Sequence, residues 1–254
     1  MMRALVTGGA QGLGRALADQ LLREGHHVTI VDIDRQGLHD LTQSNVGQCE
    51  SLMIDMADLG ALRLLTEGSD RTQFDLVILN AGISATGKFE DIPADAYEKL
   101  IKINARAPMI IASSLMRGGR VAKKGKIVFI SSLSHAVGYP GAAVYAATKD
   151  AIAIYAKSVR KPFAKRGVGV LTVFPGPIRT AHAEKHAPPG ANAQNRMAPE
   201  KLAQMILKAA RGSRRELYPG FTAWIAAFAG RQAPGTTIRA MKKHIFDKLQ
   251  GPTV

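Results

Sequence analysis

Cysteine is nearly absent from this 254-residue chain, tryptophan occurs once, and aromatic residues make up only 6%. The lone thiol, Cys49, rules out an internal disulfide and suits a reducing compartment. No apolar run approaches the roughly 20 residues that a membrane span needs. The longest one near the C-terminus covers 224–229 within 221–230. Residues 1–7 run straight into a glycine-rich turn with no long apolar stretch, so neither a secretory leader nor an integral anchor is expected. The expected location is cytoplasmic, with contact at a membrane surface left open. Acidic residues are scarce in one region. Residues 1–156 carry 16 Lys+Arg and 16 Asp+Glu, whereas residues 157–254 carry 18 against 4, so the whole net charge of +14 lies there. Such an excess is either a solvated basic surface or a field that attracts an anionic substrate, a lipid surface or nucleic acid.

What is present is ordinary for a globular protein: 46% apolar and 21% charged residues. The length suits one large α/β domain over 1–254, with a core that needs no metal or disulfide staple. Apolar runs at 3–6, 27–31, 51–54, 75–79, 126–130 and 168–173 read as strands, with a short final one at 216–218. Helical spacing marks 13–25, 36–43, 57–66, 142–165 and 199–211. A long helix is predicted over 93–116, with Pro93 in its first turn and Pro108 kinking or breaking it. The stretch 181–198 shows no period and reads as a mobile loop within a substrate-loop region, 181–230. One or two helical segments follow, ending in a basic helical tail, 231–254. Strands alternating with helices predict a parallel sheet of six to seven strands, covered by helices on both faces and doubly wound. Such sheets take ligands beyond the carboxyl ends of their strands.

Three groups of residues carry chemistry. Thr7-Gly8-x-x-x-Gly12-x-Gly14 follows a strand, opens a helix and stands 18 residues before the strand-end Asp32, counted from Gly14. A glycine turn there brings backbone N–H groups and a helix N-terminus to a pyrophosphate. Asp32 can accept hydrogen bonds from both ribose hydroxyls and repel a 2′-phosphate. Gln11 puts no cation in the loop, which also favours NAD(H) over NADP(H), while Arg35 stands close enough to argue the other way. The plainer reading of Asp32 is a helix N-cap. Tyr145 and Lys149 share a helix face at i, i+4, and Ser132 ends a neighbouring strand. A phenol near pKa 10 needs a nearby ammonium to work as an acid–base group at neutral pH.

With these, the sequence resembles the short-chain dehydrogenase/reductase family, in its main non-extended branch. The matches run in order from Thr7 to Thr180: the glycine turn, Asp55, Asn80-Ala81-Gly82, Asn104, Ser132, Tyr145-Ala-Ala-Thr-Lys149 and Pro175-Gly176-Pro177-Ile178-Arg179-Thr180. The resemblance implies a Rossmann-like sheet and a catalytic set of Asn104, Ser132, Tyr145 and Lys149. In it Tyr145 is the general acid or base, and Lys149 lowers its pKa and holds the nicotinamide ribose. Ser132 positions the carbonyl, and Asn104 holds a water that links Lys149 to solvent. It implies cofactor contacts from Gly8, Gln11, Gly12, Leu13, Gly14, Asp32, Asp55, Met56, Asn80, Ala81, Gly82, Pro175, Gly176, Ile178 and Thr180, besides Tyr145 and Lys149. Asn104 has a plainer reading as a partner for helix backbone, and Ser131 or Ser134 can compete with Ser132. Ser134, His135 and Tyr139 are read as lining the substrate mouth. His182 and His186 form an i, i+4 pair, a poor zinc site without a third ligand.

The resemblance stops after Thr180, because the glycine-rich tail that builds the usual tetramer is missing. In its place Phe221, Trp224, Ile225 and Phe228 form one helical face, and a basic amphipathic segment covers 238–249. The expected function is interconversion of a secondary alcohol and a ketone that is lipid-like or held on an anionic carrier, by a homodimer. The competing class is a dinucleotide-sensing protein that uses its basic tail for an anionic partner. Nucleic acid is not expected, since no stacking aromatics interleave with the basic residues.

Overall fold

The computed structural model describes all residues except 68–71, 137, 188–193, 195, 221–224, 226, 227, 229, 231, 245, 250 and 254. The apolar run β1 (Arg3–Thr7) is buried beyond Arg3. It leads into α1 (Gly12–Arg23), whose Leu13, Leu17, Leu21 and Leu22 lie on the buried face. Glu24 caps α1, and the left-handed Gly25, at φ +77°, then turns the chain. Next come β2 (His27–Asp32), α2 (Arg35–Ser44), β3 (Cys49–Met53), α3 (Leu59–Glu67) and β4 (Phe74–Leu79). The second half holds α4 (Ala94–Leu100), α5 (Ala107–Arg117), β5 (Val121–Ile130), α6 (Ala143–Lys165), β6 (Gly169–Val173), α7 (Ala181–Lys185), α8 (Pro199–Arg211) and β7 (Glu216–Leu217).

All seven strands pair in parallel, in the order β3-β2-β1-β4-β5-β6-β7. The inner strands read as continuous apolar runs because both faces are covered. Leu17 and Leu21 of α1, Leu41 of α2 and Ile206 of α8 pack on one face. Leu62 of α3, Leu115 of α5 and Ile152 of α6 pack on the other. The strand order reverses between β1 and β4, which opens a crevice at their carboxyl ends.

Two expectations need correction. The helix predicted over 93–116 does not break at Pro108. It runs from α4 through a π-helical turn, Ile101–Arg106, into α5. Pro108 lacks an N–H, and its ring crowds the carbonyl four residues back, that of Asn104. The helix takes this up by widening one turn. The stretch 181–198 is not loop throughout, because Thr180 accepts a hydrogen bond from Ala183 N and caps α7.

Cations cluster at one end of the sheet. Lys123 and Lys124 near the start of β5, Lys165 and Arg166 before β6, and Arg214 and Arg215 before β7 are all exposed. Lys124 N donates to Gly167 O at 2.8 Å, which brings the first two groups together at the amino end of the strands, opposite the crevice. Arg215 lies further along, where its carbonyl accepts from Thr172 N, the fourth residue of β6, at 3.0 Å. The C-terminal helix Pro234–His244 packs on the short turn Pro140–Ala142. Thr253 then pairs with Thr86 through backbone bonds of 2.7 and 2.9 Å. Phe221, Trp224 and Ile245 lie outside the described residues; Ile225 and Phe228 are exposed. Among the described residues no helix is long and apolar enough to cross a membrane.

Candidate active site

A cleft of about 610 Å³ occupies the crevice. Its floor is the turn between β1 and α1, where Gly8 and Gly12 hold φ of +66° and +56°. A Cβ on Gly14 would lie 1.8 Å from Gly8 O, so only glycine lets α1 close on the turn. Thr7 and Asn80 clip the two strand ends together. Thr7 Oγ1 accepts from Asn80 N and Ala81 N at 3.0 and 3.1 Å. Asn80 Nδ2 donates to Thr7 O and Gly8 O at 3.1 and 3.0 Å.

Asp32 accepts from Ala10 N at 2.9 Å and from Ile33 N at 2.7 Å. It is not the cap of α2. That role belongs to Asp34, which accepts from Gly37 N at 3.1 Å. The Gln11 amide also donates to Asp34, at 2.6 Å, and is the main reason its carboxyl lies below the usual range. Arg35 is exposed and outside the cleft wall. Asp55 turns one oxygen back to Ala57 N at 2.7 Å. Gly8, Gln11, Gly12, Leu13, Asp32, Asp55, Met56, Asn80, Ala81, Gly82, Pro175, Gly176, Ile178 and Thr180 all line the cleft, and Gly14 packs behind it. The left-handed glycines, the helix N-terminus and the carboxylate at the end of β2 fit a dinucleotide.

Ser132, Tyr145 and Lys149 meet in the wall of the cleft. Burial pushes the Tyr145 phenol above its ordinary pKa, and a hydrogen bond with Ser132 opposes that shift. Burial pulls the Lys149 ammonium down to about 8. The expected lowering of the phenol by Lys149 is not seen in this geometry. Lys149 Nζ donates to Ile130 O at 3.0 Å and stands 5.7 Å from the centre of the Tyr145 ring. Of the competing serines, Ser131 donates its hydroxyl to Lys149 O at 2.8 Å. Ser134 lies outside the cleft wall, and its N–H donates to Ser132 Oγ at 3.2 Å.

Asn104 does not line the cleft and does not serve helix backbone. Its amide bonds both ways with Ile83, 2.8 Å from N to Oδ1 and 2.8 Å from Nδ2 to O, and donates to Thr148 Oγ1 at 3.1 Å. It thereby ties the loop after β4 to α6. Neither His135 nor Tyr139 lines the cleft. His135 stacks on Phe174 at 4.1 Å between ring centres, with Asp150 at 3.7 Å. The sequence reading weighed His182 only as half of a metal pair, yet α7 brings it into the cleft wall. Its position two residues after Thr180 was the available signal.

The short chain dehydrogenase profile matches residues 2–189. Cyclopentanol dehydrogenase of Comamonas sp. (strain NCIMB 9872) is 32% identical over 183 residues, 69% of this chain and 72% of that protein. A short-chain dehydrogenase from Streptomyces avermitilis shares the fold with a TM-score of 0.79 at 24% identity, covering 95% of this chain and 96% of its own. BdcA in complex with NADPH aligns with a TM-score of 0.73 at 26% identity, covering 82% and 86%. With the parallel sheet and the cleft at its switch point, these matches establish that the chain belongs to the short chain dehydrogenase family of NAD(P)(H)-linked oxidoreductases.

Proposed function

We propose that the protein interconverts a secondary alcohol and a ketone, with Tyr145 as the proton donor in reduction and the acceptor in oxidation. The observation that carries this reading is the meeting of Ser132, Tyr145 and Lys149 in the same cleft as the glycine turn and Asp32. When bound, the nicotinamide dinucleotide supplies or takes the hydride. Tyr145 is protonated at neutral pH, because burial disfavours the phenolate. It gives its proton to the carbonyl oxygen, and Ser132 orients that oxygen by a hydrogen bond. The Lys149 ammonium balances the phenolate left behind. Asn104 acts at a distance, by holding Ile83 and Thr148 in place.

Asp32 and the absence of a cation in the described wall beside it support NAD(H) over NADP(H). Ile83 and Ala181 in the same wall support a hydrophobic substrate. The cation cluster at the far end of the sheet argues against the charge serving to hold a carrier at the cleft. Ile101 and Ile154, 52% and 57% exposed, stand on the helical layer beside Asn104 and Tyr145 and suit a homodimer through it. The test compares wild type with Tyr145→Phe. Turnover should fall by at least about 100-fold, with nucleotide affinity kept; unchanged turnover overturns the assignment.

A further inference from the structure

α7 has only five residues, too few to hold itself as a helix in water. It is fixed from both ends. Thr180 Oγ1 accepts from Ala183 N at 3.1 Å. At the other end the His186 ring nitrogen Nδ1 lies 3.3 Å from Thr86 Oγ1. Thr86 is itself paired with Thr253, so the C-terminal strand segment braces the anchor. Between these anchors the His182 ring packs on His186, 4.6 Å between ring centres, and opens onto the cleft. Among the described residues no hydrogen bond reaches either nitrogen of His182. The ring is uncharged at neutral pH: partial removal from water comes first, then the Lys149 and Lys185 ammonium groups, and all three hold its pKa below the ordinary value. A neutral imidazole offers one donor and one acceptor.

This inference rests on the proposed alcohol/ketone reading and narrows its substrate. We propose that His182 is a specificity-determining residue that hydrogen-bonds a second, uncharged oxygen of the substrate, a hydroxyl or carbonyl next to the reacting carbon. The preferred class is therefore a hydroxy ketone or diketone rather than a plain ketone. The geometry supports this because His182 lines the same cleft as Ser132, Tyr145 and Lys149 and stands close enough to the Lys149 ammonium to feel its charge. A substrate that covers the exposed His182 ring displaces its water, so one that replaces those hydrogen bonds is favoured over one that cannot.

The test uses wild type, His182→Leu and His182→Gln with an α-hydroxy ketone and its deoxy counterpart, at saturating nucleotide. His182→Leu should lower kcat/KM for the hydroxy ketone by about 10- to 100-fold, mainly through KM, and change the deoxy ketone by less than about twofold. His182→Gln, which keeps a donor and an acceptor, should restore most of the loss. Nucleotide affinity, read by titration, should stay the same in all three. Equal losses on both ketones, or a weakened nucleotide affinity, overturn the role of His182 while leaving Tyr145 chemistry standing. Wild-type turnover of neither ketone overturns both readings.

Discussion

Gly14 shows how one missing side chain can decide a site. A methyl there would meet Gly8 O at 1.8 Å and Asn80 Nδ2 at 2.7 Å, and backbone cannot yield as a flexible side chain can. Gly14→Ala should therefore cost about 3 kcal/mol or more of stability and remove nucleotide binding, as denaturant unfolding and titration would show. Lys149 makes a different kind of claim. Its ammonium is 5% exposed and titrates near 8 when folded, against 10.5 for an ordinary lysine. Below pH 8 both folded and unfolded chains hold the proton, and the folded one bears the full desolvation penalty, about 3 kcal/mol. Between pH 8 and 10.5 only the unfolded chain keeps it, so the penalty fades as pH rises. Lys149→Met should be more stable than wild type at pH 7 by up to that amount. The gap should close by about pH 10.5 while the variant stays inactive. A constant gap across this range would contradict the burial argument. At this scale the sequence was informative: it grouped Ser132, Tyr145 and Lys149, and all three line the cleft. The direction of the Tyr145 shift was not legible, since it depends on how far the fold removes the phenol from water.

Among the elements, the alternation of apolar runs and helical spacing was enough to place the inner strands, because a doubly covered sheet writes them as apolar runs, whereas the edge strands β3 and β7 carry polar residues. The π-turn was hidden. Apolar spacing does not distinguish a widened turn from an ordinary one, and Pro108 announced only that something must give. That turn carries Asn104, whose amide satisfies Ile83 on both sides. Asn104→Leu keeps the size but strands the Ile83 N–H and carbonyl, while the Thr148 hydroxyl keeps its bond to Tyr145 O. It should cost about 2–4 kcal/mol in denaturant unfolding, with a larger effect on kcat than on nucleotide affinity. A cost under about 0.5 kcal/mol would show that water replaces the amide. α7 escaped the sequence reading for a simpler reason: five residues give no period to detect, and Thr180 as its cap was the only mark.

Across the whole molecule, composition gave the sum of the charge but not its position. Lys123 and Lys124 of β5 and Lys165 and Arg166 before β6 lie far apart in sequence, and only the pairing of β5 with β6 gathers them at the end opposite the cleft. Salt screens such a field over about 10 Å at 0.1 M. With saturating nucleotide, kcat/KM for an anionic ketone should change by less than about twofold between low and high salt. A steep fall would mean that the positive field does reach the cleft.

The central claim is proton transfer by Tyr145 in a dinucleotide-dependent ketone reduction. Its most direct test is the initial rate of NADH and NADPH oxidation with a panel of plain and hydroxylated ketones, for wild type and Tyr145→Phe side by side. The account predicts turnover by wild type, faster with NADH, and a loss of at least about 100-fold in the variant with nucleotide still bound. Equal rates in the two proteins, or no turnover by wild type with either nucleotide, would contradict it.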